Sequence, residues 1–257
     1  MTGGVDLHPM GQAGTAALLA ELKAEAGMRV LEVGCGTGVT LVEVAARTAV
    51  ALDGLEPSPV MRQMARRRLR AVGLAEQVGL YGGDGRMLPF AAESYHRVYM
   101  ESVLGFQQVG DAAALLAQIF RVLRPGGLFI ANEAVWQPEV TAAQTAAMYA
   151  RNMADFGISQ AAPQPWSVAE WLALMQSVGL SVIAAEGVAA YGLAFPPMPP
   201  HSPQLLRRSQ QFSRLCRWQS YVRPDLVQKR LLFRGRLKAH EGDGRLLESR
   251  LFVLQKP

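Results

Sequence analysis

Val30–Gly38 reads VLEVGCGTG, an acid followed by three alternating glycines. Glycine puts no side chain in front of its main chain, so Gly34, Gly36 and Gly38 let a ligand lie close against the backbone. Cys35 sits inside the same turn. Glu32 sets the sign of that ligand. A carboxylate repels phosphates, so the pattern suits an ammonium group better than a pyrophosphate. The spacing is G-x-G-x-G and not the G-x-G-x-x-G of dinucleotide binders. Two further acids, Asp53 and Glu56, stand at the end of the next apolar run. A carboxylate there, roughly 20 residues beyond a glycine turn, can accept hydrogen bonds from both hydroxyls of a ribose.

These groups need a frame, and the chain supplies one. Met28–Val33 is a short apolar run bounded by glycines, which reads as a buried parallel strand. The turn leads into a helix over Val39–Arg47, and a helix N-terminus is itself a ligand-facing end. Thr15–Ala26 reads as an earlier helix, with Leu18, Leu19 and Leu22 on one side and Gly27 ending it. Thr48–Leu55 is a second strand. Ser58 is an N-cap and Pro59 a first helical residue, opening a helix that Gly73 ends. Arg66, Arg67, Arg68 and Arg70 fall on its outer face and are expected to meet solvent. Gln77–Tyr81 and Tyr95–Ser102 read as strands three and four. A helix over Asp111–Leu123 stops at Arg124-Pro125-Gly126-Gly127, and Leu128–Asn132 is strand five. Thr141–Phe156 is a helix. Ser167 and Glu170 form a capping box for Val168–Val178, before strand six at Leu180–Glu186. A Pro-rich stretch then precedes an Arg-rich helix through Tyr221. Pro224–His240 is a helix or half of a hairpin, and Ser249–Gln255 is the last strand.

VLEVGCGTG resembles motif I of the class I S-adenosylmethionine-dependent methyltransferases. The likeness runs over Ala13–Val135 through LEPSPVM, GDGRMLPF and LRPGGLFI, and is nearest to the type 11, ubiquinone-biosynthesis-like small-molecule enzymes. It implies an α/β, Rossmann-like sheet of seven mostly parallel strands in the order 3-2-1-4-5-7-6. The last strand is antiparallel and helices cover both faces. It also implies one domain, with insertions at 134–165 and 189–228 forming a helical lid at the carboxyl edge. S-adenosyl-L-methionine is the implied cofactor. In LEPSPVM the acid Glu56, rather than Asp53, matches the ribose carboxylate, with Pro57 and Met61 beside it. In GDGRMLPF, Asp84 matches the acceptor for the adenine amino group, and Gly85 or Arg86 supplies the amide for the ring. Glu32, Gly34, Cys35, Gly36, Gly38 and Glu101 complete the expected cofactor site, and an N-terminal arm carrying His8, Met10 and Gln12 lies over it. One position departs from the pattern: His96 stands where the family has an Asp that supports structure.

The implied reaction is an in-line methyl transfer to a small-molecule acceptor. The sulfonium is already activated, so the protein chiefly aligns a nucleophile and excludes water. No catalytic residue is required by the sequence. If the acceptor needs a base, His8, Glu101, Tyr191 and His201 are the candidates. Trp136, Tyr149, Phe195, Arg207, Arg214 and Trp218 are candidates for the acceptor site, and the aromatic ones can equally be the core of the lid. The net charge is +5, yet His201–Lys238 holds ten Lys or Arg residues and one acid, so the rest is slightly acidic. That local excess suits an anionic acceptor, an acidic surface or a solvated face. No N/D-P-P-Y/F run is present to clamp a flipped base, which argues against a nucleic-acid partner. No apolar run approaches the ~20 residues of a membrane span, and the first residues do not read as a secretory leader. Two distant cysteines fit a reducing cytoplasm and exclude a cysteine-built metal site; no metal is expected. A nicotinamide-dependent oxidoreductase and a non-catalytic S-adenosylmethionine-binding protein are the alternatives.

Overall fold

In a computed structural model, the description covers residues 11–157, 159, 164, 166–188, 200–240 and 242–257. The elements are α1 Gly11–Leu22, β1 Arg29–Val33, α2 Val39–Arg47, β2 Ala51–Leu55, α3 Pro59–Val72, β3 Val78–Tyr81 and β4 Tyr95–Glu101. They continue with α4 Val109–Val122, β5 Leu123–Trp136, α5 Ala142–Phe156, α6 Val168–Ser177 and β6 Ser181–Gly187. Two long helices, α7 Pro203–Val222 and α8 Pro224–Ala239, precede β7 Leu247–Gln255.

The strands form one seven-stranded sheet in the order β3-β2-β1-β4-β5-β7-β6. Pairings from β3 through β5 are parallel, and β7 runs antiparallel to both β5 and β6. This is the topology that the resemblance implies, and patterning decides what each strand buries. Side chains alternate along each strand, so each inner strand buries one set of residues on either face. Leu31, Val98, Met100, Phe129 and Phe252 pack toward α4 and α6. Val30, Leu41, Tyr99, Ile130 and Val253 pack on the other face, toward α1 and α2.

Local signals place most element ends. Ser58 Oγ accepts from Met61 N, Pro59 opens α3, and Gly73 ends it at φ 84°. Thr141–Gln144 and Ser167–Glu170 form capping boxes at the starts of α5 and α6. Differences follow from tertiary pairing. α1 spans Gly11–Leu22 rather than Thr15–Ala26. β5 starts early because Leu123 pairs with Tyr95, and Gly126, at φ 74°, carries the kink that the register shift requires. Pro224–Ala239 is a helix, not a hairpin strand. His96 ties β1 to β4, its Nδ1 accepting from the Arg29 amide at 2.9 Å. One expectation about α3 is reversed. Arg68 is buried, 3% exposed, because α7 packs across α2 and α3 and covers it.

Candidate functional site

The carboxyl ends of β1, β2 and β4 and the loop after β3 open onto a cavity of about 440 Å³. Its walls include Gly34, Glu56, Pro57, Asp84, Gly85 and Arg86, with Ser102, Val103, Gln107 and Leu115 closing the far side. The glycine turn is built as its spacing suggests. Gly34, Gly36 and Gly38 hold φ of 76°, 52° and 74°, a region that side chains rarely adopt. The amides of Gly34 and Cys35 both donate to Leu55 O, which bolts the turn to the end of β2. A Cβ on Gly34 would meet Val103 Cγ2 at 2.6 Å, whereas one on Gly36 would meet nothing within 4 Å.

Glu56 is 7% exposed and held from both sides. Its Oε2 accepts from Gly36 N at 2.9 Å and its Oε1 from Ser58 N at 2.8 Å. Each oxygen keeps a lone pair for a ligand. Asp53 goes elsewhere: its Oδ2 accepts from Tyr95 Oη at 2.8 Å and pairs with Arg29 at 3.1 Å, on the α4 face of the sheet. At the opposite end of the cavity Asp84 pairs with Arg86, which also reaches Asp111 at 2.7 Å. The Arg86 hydrogen bonds hold the Asp84 carboxyl below its usual range. The Arg86 amide itself donates to Asp84 Oδ1, so Gly85 is the cavity-lining neighbour left to serve a ligand ring.

Glu32 and Glu101 do not line the cavity. They lie behind the glycine turn, toward α1 and α2. Tyr99 Oη donates to Glu32 Oε2 at 2.9 Å. Thr15, Thr40 and Asn132 donate to Glu101 at 3.0, 2.8 and 3.3 Å. Burial, and then the Glu101 charge, pushes the Glu32 carboxyl up to about 8. Burial also raises the Cys35 thiol well above its usual range, so this cysteine is a packed thiol rather than a nucleophile.

Three residues of this region escaped the sequence reading as functional parts. Ser102 has a left-handed backbone, φ 53°, and a buried hydroxyl without a hydrogen-bond partner at the cavity wall. Such strain persists only where surroundings enforce it. Glu133 is the enforcer: its carboxylate accepts from the amides of Val103, Leu104 and Gly105 at 2.9, 3.1 and 3.3 Å. Burial raises its carboxyl to about 7 against those three donors. Arg68 is the third. Its guanidinium donates to Thr37 O inside the glycine turn at 2.9 Å and to Ser209 and Ser213 of α7, each at 2.9 Å. The sequence signal for Glu133 is the polar pair Asn132-Glu133 inside an otherwise apolar strand.

The remaining candidates are scattered. Cys35, Gly36, Gly38 and Met61 stand just outside the cavity wall, in the turn and at the start of α3. Gln12 lines a second cavity of about 370 Å³ between α1, α2 and α7. Trp136 is buried against Met148, and Tyr149 is half-buried on α5. His201, Arg207, Arg214 and Trp218 are exposed. His8, Met10, Tyr191 and Phe195 lie outside the described residues. Among the described residues no cluster of His, Cys, Asp or Glu suits a metal ion, and no helix is long and apolar enough to cross a membrane.

Comparison with known proteins adds a family. Residues 30–127 match the family described as "Methyltransferase domain". Methyltransferase GfsG of Streptomyces halstedii is 34% identical over 125 residues, 47% of this chain and 44% of its own length. The uncharacterized methyltransferase YodH of Bacillus subtilis is 29% identical over 191 residues, 74% of this chain and 76% of that protein. The chain thus spans less than half of the first relative and about three quarters of the second. Among solved structures, geranyl diphosphate methyltransferase in complex with SAM aligns with a TM-score of 0.64 at 16% identity, covering 96% of this chain and 86% of that one. The [4+2]-cyclase SpnF aligns with a TM-score of 0.65 at 18% identity, covering 99% and 84%. At such identities these two likenesses speak for the fold alone.

Proposed function

We propose, from the membership of this chain in the class I S-adenosylmethionine-dependent methyltransferases, that it methylates a small-molecule acceptor by in-line displacement. The observation that carries this reading is Glu56. A carboxylate fixed by two backbone amides faces a cavity whose other end is Asp84 and Gly85. That donor and acceptor set fits the cofactor: Glu56 for the ribose, Asp84 and Gly85 for the adenine. Glu32 and Glu101, behind the glycine turn, supply negative field for its cationic end. The orphaned Ser102 hydroxyl is a polar group with a place for a ligand atom.

When bound, S-adenosylmethionine supplies a methyl group on a positively charged sulfur that is already a good leaving group. The protein then has to hold, orient and dry the site. Glu56 fixes the nucleoside end through charge-assisted hydrogen bonds. The glycine turn brings main chain close, and Arg68 and Glu133 keep the two walls in register. The acceptor belongs at the Ser102–Gln107 end, beyond the glycine turn. The insertions at 134–165 and 189–228 serve as its lid. Both segments follow the carboxyl ends of strands, the first after β5 and the second after β6.

The test has two parts. Wild type is screened with metabolites for S-adenosylhomocysteine production. Binding of S-adenosylhomocysteine is then measured by calorimetry for Glu56→Gln and Glu56→Ala. Charge-assisted hydrogen bonds contribute about 1.5–3 kcal/mol, so affinity should fall about ten- to hundredfold, with Gln the milder change. Asp53→Asn should lower the melting temperature through Tyr95 and Arg29 and leave affinity unchanged. Unaltered binding in both Glu56 variants would overturn the assignment of this cavity.

A further inference from the structure

The basic excess of the late segment finds no use in the cavity. It lies on α7 and α8, and the packing of these helices shows which way it faces. Along α7 the inward stripe is Leu205, Ser209, Phe212, Ser213 and Cys216, at helical spacing and partly or fully covered by α2 and α3. Arg68 fixes this stripe, with its guanidinium 5.1 Å from the Phe212 ring and bonded to both serines. Arg207, Arg214, Trp218 and Tyr221 follow at spacings of seven, four and three, so they share the opposite stripe.

That outer stripe is apolar as well as basic. Trp218 is 59% exposed, Tyr221 53% and Leu215 53%. On α8, Phe233 and His240 face α5, and Leu231 and Leu232 stand 62% and 59% exposed. Among the described residues, half of the exposed large hydrophobic side chains lie on these two helices. The same stretch holds ten cationic residues and a single acid. A solvated helix face has no reason to expose Trp, Tyr and Leu together. A nucleic acid would use the cations and gain little from the leucines. An anionic lipid surface uses all of them: cations meet headgroups, Trp and Tyr sit at the headgroup level, and Leu enters the acyl boundary.

We infer that α7 and α8 form a peripheral docking face for a membrane surface rich in anionic lipid. Trp218 and Leu231 are its anchors, and Arg207 and Arg214 its electrostatic grip. The rest of the chain carries a slight acidic excess, so the net positive charge of the molecule is concentrated on these helices. The inference stands apart from the chemistry proposed above, since no cavity residue takes part in it.

Flotation of the full chain with vesicles tests it, comparing phosphatidylcholine alone with phosphatidylcholine containing phosphatidylserine. Binding to the anionic vesicles, with little to the neutral ones, is expected, and raised salt should reverse it. Tryptophan emission should shift to shorter wavelength on binding. Trp218 is the reporter, because Trp136 and Trp171 are already buried and Trp166 is half-buried. Trp218→Ser with Leu231→Ser should cut partitioning about tenfold or more at an unchanged melting temperature. Arg207→Gln with Arg214→Gln should weaken binding and flatten its salt dependence. Failure to bind anionic vesicles overturns the inference. So does binding that survives the Trp218 and Leu231 changes, or that duplex DNA matches equally well in wild type and in that variant, because the face would then be a general polyanion site.

Discussion

Glu32 is the residue whose charge depends most on what lies in front of it. Its carboxyl stands at about 8, raised first by burial and then by Glu101. At neutral pH the empty protein therefore keeps a proton there. A cationic ligand against the glycine turn favours the charged carboxylate, so binding should release a proton. Calorimetry of cofactor binding in buffers of different ionisation enthalpy near pH 7 reads that release, and Glu32→Gln should abolish it. The same shift sets a stability slope. The folded value lies above the ordinary 4.5, so this group's contribution is complete below 4.5 and is lost as pH rises through 8. Thermal melts should fall over that window in wild type and less steeply in Glu32→Gln. The acid and its place ahead of the glycines were legible in the sequence. Its protonation was not, because Tyr99 and Glu101 are brought beside it only by the pairing of β1 with β4. The same holds for the Ser102 hydroxyl, whose strain depends on Glu133 reaching across from β5.

At the scale of elements, α3 is the joint between the glycine turn and α7. Its Arg68 reaches Thr37 on one side and Ser209 and Ser213 on the other. Arg68→Met keeps the packing volume and leaves those acceptors without their donor. Unsatisfied buried groups cost about 1–3 kcal/mol. For a domain of this size each kcal/mol lowers the melting temperature by about 2–4 °C. A fall in that range, with weakened cofactor binding through the loosened Thr37 carbonyl, is the expected result. An unchanged melting temperature would show that α7 docks without this joint. The caps of α3, α5 and α6 were legible because capping is local chemistry. Arg68 was not. An arginine among three others on a helix face reads as solvated, and the stripe that covers it carries serines where an apolar residue would have announced a contact.

Across the whole molecule, the alternation of strands and helices was legible from local pattern, whereas the sheet order came from the resemblance of the glycine turn and its partner motifs to the methyltransferases. The two late helices were legible as helices only. Their orientation depends on what they meet at each end: Ala46 O accepts from Ser202 N ahead of α7, and α8 ends on α5. There His240 sits between Asp155 and Asp243, at 2.9 and 2.7 Å, and both partners hold its imidazole above the usual range. Thus α7 and α8 bridge from α3 to α5, with the docking face on their outer side.

The position of β7 has a consequence in time. Of the seven strands of this sheet it leaves the ribosome last, yet it belongs between β5 and β6. Until it arrives, the nascent sheet shows the long edge of β5, from Leu128 to Trp136, as an open template for pairing with another chain. Leu251, Phe252, Val253 and Leu254 are each at most 1% exposed once in place. Burial of such side chains is worth ~1.5–3 kcal/mol apiece, which together rivals the ~5–15 kcal/mol that holds a domain folded. A chain halted at Gly244 should therefore emerge with most of its helices formed and still aggregate. Release of stalled chains into a solubility assay would show this, and a soluble product would mean that the sheet closes without β7.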